Sequence, residues 1–189
     1  MYLKLTHLLA VLAAVPAVFS SPIVENSICA GQSTISESFI GKDKNVKVQY
    51  ISCAAGPPDT FQARSVKPRQ TNVCGKTCNT NCFTPSGGGP DPNECHVIAD
   101  ALRYESQNTG ALFQIGTGTN NTITMTYRSC LSFFVNQDFG PEVYCRTDFA
   151  DVIDWVAPHC QSAQNAHGGN CVASDQTWYI QVQNSTAPH

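Results

Sequence analysis

The sequence predicts an α+β domain, a single disulfide-rich unit with an antiparallel sheet of about four to five strands, one long capped helix and a second helix packed on it. Three observations carry that prediction. The segment from Gly87 to Gly110 is punctuated as one helix, the segments after it alternate with a period of two, and the chain holds ten cysteines behind an apolar leader.

Residues 1–20 combine Lys4, an apolar run from Leu8 to Phe19 and a small residue at Ser20, the pattern of a cleaved secretory signal. The run is short for a membrane anchor and no later segment is long and apolar enough to span a bilayer, so no membrane insertion is expected. A secreted, extracellular chain suits cysteines that pair oxidatively.

Residues 21–69 hold one alternating run, Val46 to Ile51, and the break Gly56-Pro57-Pro58. They end at Lys67-Pro68-Arg69, which resembles a kexin-type processing site with a cut after Arg69. Cys29 and Cys53 lie upstream of that point. Cys74, Cys78, Cys82, Cys95, Cys130, Cys145, Cys160 and Cys171 lie downstream, so each side has an even number. Charge divides as well: residues 1–69 carry seven Lys/Arg against four Asp/Glu, net +3, and residues 70–189 carry four against ten, net −6. Residues 21–69 therefore read as a propeptide or small N-terminal segment, and 70–189 as the disulfide-bonded domain. So acidic a module is a poor partner for nucleic acid.

Cys74, Cys78 and Cys82 recur every four residues. Zinc sites favour a C-x2-C pair, and thiolates outside the cell oxidise, so the run reads as disulfide anchors with no metal and no cofactor. Spacing leaves their pairing open. In the helix, Asp91 is placed to cap, Pro92 suits the first position, Glu94 sits where a capping box reaches back, and Asn108 with Gly110 marks the end. Cys95, Ile98, Ala99 and Leu102 make its core stripe, and His96, Asp100 and Arg103 its narrow polar one.

Strands follow at Ala111 to Gly116, Thr122 to Tyr127 and Cys130 to Asn136. A second helix runs from Thr147 or Asp148 to Ala157, with Phe149, Val152, Ile153 and Val156 on one stripe and Pro158 as its stop. Gly168-Gly169 reads as a turn, and Trp178 to Gln183 as the last strand. If that strand lies at a sheet edge, two copies could pair there as a homodimer. Asn120 and Asn184 open N-glycosylation sequons.

Catalytic signatures are absent: there is no G-x-S-x-G, H-E-x-x-H, P-loop or dinucleotide fingerprint. His96, Asp100 and Arg103 could run acid–base cleavage of RNA, but the same three residues also describe the polar edge of a buried helix. Asp148, Asp151 and Asp154 read either as a calcium or glycosidase cluster or, more simply, as the polar side of a helix start. Binding is better supported. Thr122, Thr124 and Thr126 on one strand and Tyr179, Gln181 and Gln183 on another offer the hydroxyls, amides and aromatic face that sugars use, although an ordinary wetted sheet alternates identically. The loop around Asn165 and His167 is a second candidate.

The runs CGKTCNTNCF (74–83), GGGPDPNECHVIADAL (87–102), SQNTG (106–110), SCLSFFVNQ (129–137) and QNAHGGNCVA (164–173) resemble the small secreted glycan-binding proteins of mushroom-forming fungi. The resemblance covers nearly all of residues 70–189 and none of the leader. It implies a disulfide-bonded α/β domain and lectin-like binding of fucosylated or N-acetylgalactosamine-containing glycans or glycoproteins; together with the secretory signal and the absence of a catalytic constellation, it points to a non-enzymatic protein in a defensive role. Its motifs are mainly cysteines, glycines and helix caps, which carry a fold and not a ligand. The size and cysteine density also allow a killer-toxin-like effector acting on a competitor's membrane protein, and a secreted ribonuclease forms a third class.

Overall fold

The structure, a computed structural model, describes residues 27–54 and 69–186. The secretory signal expected at 1–20 and the Lys67-Pro68 part of the processing motif lie outside the described residues. In chain order the elements are β1 (Ser33–Ile40), β2 (Val46–Ser52), β3 (Thr71–Asn72), β4 (Cys78–Cys82), α1 (Pro92–Asn108), β5 (Leu112–Ile115), β6 (Thr122–Tyr127), β7 (Cys130–Asn136), β8 (Glu142–Cys145), α2 (Arg146–His159), β9 (Gly168–Ala173) and β10 (Trp178–Asn184).

The fold is α+β, but its sheet is larger than the four to five strands expected. Seven antiparallel strands lie in the order β1-β2-β6-β7-β10-β9-β4, and β3-β8-β5 form a second small sheet. The additional strands lack the apolar alternation that betrays a strand in sequence. β4 reads CNTNC and is held by Cys78–Cys171 and Cys82–Cys160. β9 opens with Gly168-Gly169, which does not turn the chain. A Cβ on Gly168 would stand 2.5 Å from the Val182 carbonyl oxygen, and one on Gly169 2.6 Å from that of Asn81, so the glycines serve close strand approach. β10 has β7 on one side and β9 on the other, so it is not an edge. The homodimer expected through Tyr179 to Gln183 has no open edge there; strand-to-strand pairing in this sheet has only β1 and β4 available.

Both helices cover one face of the large sheet. Asp91 caps α1 by accepting from Asn93 N at 2.9 Å. Glu94 does not complete a capping box. Its carboxylate accepts from Ser129 N at 2.9 Å and from the Ser129 hydroxyl, and that hydroxyl takes the Asp91 N–H at 3.0 Å. Ser129 therefore does the work of the box from the turn between β6 and β7, and Cys95–Cys130 ties the first turn of α1 to β7. α2 begins at Arg146 and holds Pro158 in its last turn, ending at His159. Ile98, Leu102, Ile153 and Val156 pack with Val46, Val48, Ile123, Met125, Ile180 and Val182 in the main core. Phe113, Phe134, Tyr144, Phe149 and Trp178 form an aromatic cluster within that core.

The remaining bridges are Cys29–Cys53 and Cys74–Cys145. Five disulfides belong to an oxidising environment. Among the described residues no helix is long and apolar enough to cross a membrane.

Candidate ligand-binding groove

Residues directly opposite in an antiparallel ladder share a face, so register assigns the sheet's outer surface. Lys47 lies opposite Thr126 and Gln49 opposite Thr124. Thr126 lies opposite Leu131 and Thr124 opposite Phe133, which in turn meet Gln183 and Gln181 on β10. All of these point away from the helices. Leu131, Phe133 and Val135 form a separate apolar cluster there, with Ile28 and Tyr179 packed against it.

A groove of about 530 Å³ opens on this face. Ser27, Ile28, Gln32, Thr34, Lys47 and Gln49 line it from the upstream segment, and Thr124, Thr126, Leu131 and Ser185 from the downstream module. Its walls carry hydroxyls and amides, two aliphatic side chains and one ammonium. Gln49 is oriented by donating through Nε2 to Glu37 at 2.9 Å and to Thr34 at 3.4 Å. The Thr124 hydroxyl makes a long contact, 3.5 Å, with the Gln49 carbonyl on the neighbouring strand. Such a surface can accept and donate hydrogen bonds to a polyhydroxylated ligand while Ile28 and Leu131 meet its C–H groups.

The candidate residues therefore divide. Thr124 and Thr126 line the groove, Thr124 being only 2% exposed and Thr126 half-buried. The threonine row is not the wetted face that alternation suggested, because Thr122 is also 2% exposed. Tyr179 and Gln181 lie on the same face but two strands further on, about 10 Å away at the usual strand spacing. The Tyr179 ring meets Phe133 edge-on at 6.3 Å, burial raises its phenol pKa, and Gln181 donates to Gln183.

Asn165 and His167 sit in the loop before β9, three strands from Thr126 and so about 14 Å away. There Asn165 accepts from Ser86 N at 3.1 Å, and His167 Nδ1 lies 2.6 Å from the Pro85 carbonyl. These contacts hold the loop against the segment leading into α1. Alternation could find the threonines. Lys47, Gln49 and Thr34 were missed because nothing local says which strand lies beside β6.

The polar stripe of α1 has a structural partner. His96 Nδ1 is 2.8 Å from Asp154, Arg103 contacts Asp154 and Asp151 at 2.7 Å each, and Asp100 lies 3.5 Å from His96 and 3.6 Å from Arg103. The hydrogen bond to Asp154 raises the His96 pKa. This is a clamp between α1 and α2, with both ring nitrogens facing carboxylates. Asp148 is separate from Asp151 and Asp154, accepting Gly75 N at 2.7 Å. It also approaches the Cys74 and Cys145 sulfurs, which are bonded to each other and have no thiolate for a metal. A smaller recess at Gly75 to Thr77 is spanned by the Lys76–Asp175 ion pair at 2.6 Å.

Both sequons are described. Asn120 is exposed in a turn, whereas Asn184 donates to the Gly89 carbonyl at 3.4 Å and accepts from Thr186 N at 2.9 Å. Compared with family models, with curated proteins and with solved structures, the chain matches none.

Proposed function

We propose that this chain is a secreted, non-enzymatic glycan-binding protein and that the groove on the outer sheet face is its binding surface. One observation carries the reading: the groove combines Gln49, Thr34 and Thr126 with Ile28 and Leu131 around a volume of about 530 Å³, the mixture of polar and aliphatic groups a sugar presents in complement. The motif resemblance to fungal glycan-binding proteins supports it, and names fucosylated or N-acetylgalactosamine-containing glycans as the first ligands to try. A defensive role outside the cell fits a disulfide-rich chain of this kind.

The test is a glycan array with the fully oxidised protein, followed by titration of the best hit. Gln49→Ala and Thr126→Ala each remove hydrogen-bonding groups and are expected to weaken binding by roughly tenfold, about 1.4 kcal/mol. His167→Ala, in the loop outside the groove, is expected to bind as the parent does. Binding to no glycan, or binding indifferent to both groove substitutions, refutes the reading.

A further inference from the structure

We infer that residues 27–54 are a permanent half of the folded molecule and of its groove, so that a chain cut after Arg69 persists as a two-chain protein instead of shedding a propeptide. The part about the groove rests on the glycan-binding reading; the retention does not. The covalent facts permit a cut. Cys29–Cys53 closes within the upstream segment and the other four bridges close within 74–171, so no disulfide joins the two sides. Arg69 and Gln70 are both exposed.

The packing argues against departure. β2 pairs with β6 from Lys47↔Thr126 to Ile51↔Thr122, and Val46 and Val48 belong to the same core as α1 and the central strands. Cys53 N donates to the Thr119 carbonyl at 2.9 Å. On the helix side, buried Glu105 of α1 accepts from Gly41 N at 3.3 Å and from Lys44 at 3.1 Å. Removing the hairpin would bare the β6 edge, open the core beside Ile123 and Met125, and take Gly41 and Lys44 from Glu105, leaving it the Thr109 hydroxyl. Each change exposes apolar surface or takes hydrogen bonds from a polar group. It would also remove six of the ten groove-lining residues, including Lys47 and Gln49.

The even cysteine count on each side thus has a second meaning. It lets each side close its own bridges while their union stays noncovalent.

The experiment takes the full secreted protein, cuts it with trypsin after Arg69, and compares native mass with mass under denaturing, non-reducing conditions. The expected result is a native particle that keeps residues 27–54 before and after cutting, resolving into two chains only when denatured. Glycan affinity should survive the cut, because the hairpin that carries Lys47 and Gln49 stays in place. A native species made of residues 70–189 only, in culture medium or after cutting, overturns the inference. Should no glycan bind even the uncut protein, the glycan reading fails while native mass still decides retention.

Discussion

Glu142 is the residue whose chemistry is least expected from its neighbours in sequence. It is 0% exposed, on the same side of β8 as Tyr144, and neither carboxylate oxygen has a hydrogen-bond partner among the described residues. Trp178 Nε1, whose indole packs 5.1 Å from the Tyr144 ring, is likewise unpaired among them. Thr177 comes near Glu142, but its hydroxyl donates to Asp175 at 2.8 Å. Burial first, and the charge of Asp138 second, push the Glu142 pKa up to about 7. The folded chain then keeps this proton where the unfolded chain, near 4.5, has released it. Stability therefore falls as pH rises from about 4.5 to about 7 and is level above that. Glu142→Gln removes the titration at constant shape. It is expected to gain up to about 3 kcal/mol at pH 8 and little at pH 5, read by denaturant titration at both. An equal change at the two values would show that ionisation is not the cause.

At the level of elements, the contact between α1 and α2 is set by apolar packing and then aligned by charge. Arg103 faces Asp100, Asp151 and Asp154, and its replacement by Ala leaves three carboxylates and His96 without it. Because the group is about one-third exposed, water screens much of the interaction, and a loss of about 1 kcal/mol in urea titration is expected. Arg103→Lys should recover only part of it, since an ammonium cannot reach two carboxylates in fork geometry. A neutral Arg103→Ala would reduce the clamp to a surface ornament.

Each half of this clamp was legible in sequence, as a polar stripe on one helix and a polar side on the other. Their meeting was not, because periodicity says which residues share a face and never which faces meet. The same limit applies to the groove. Thr124 and Thr126 could be read from alternation, but Lys47 becomes their neighbour only through the β2–β6 ladder. β4 and β9 escaped for a different reason. Their place in the sheet depends on cysteines and glycines, which ordinarily signal bridges and turns.

For the whole molecule, the ionisable groups pull the pH of maximum stability to the acid side of neutral. Hydrogen bonds from Ser129 and Thr109 lower the Glu94 and Glu105 pKa values, and the bond from Lys76 lowers Asp175 to about 2. Stability from these groups is present above their unfolded values and is lost as pH falls through the folded ones. His96 acts oppositely. Its raised pKa contributes stability below 6.5 that is lost as pH climbs through the folded value, in the same direction as Glu142. Melting temperature is expected to peak at about pH 5 to 6, and a peak above 7 would contradict the assignment.

The division of the disulfides also has a mechanical reading. Pulled from its two ends, the oxidised protein transmits force through Cys29–Cys53, along residues 54–73 to Cys74, on to Cys78, and across Cys78–Cys171 to the tail. That last bridge bypasses residues 79–170, whereas β10 lies beyond Cys171 and bears the load. The only long stretch of backbone between the two halves is the link from Cys53 to Cys74, about 70 Å when taut at roughly 3.4 Å per residue. A single-molecule stretching trace should therefore show two short steps, one as the hairpin peels from β6 and one as β10 leaves β7 and β9, and then a stiff remainder until reductant is added.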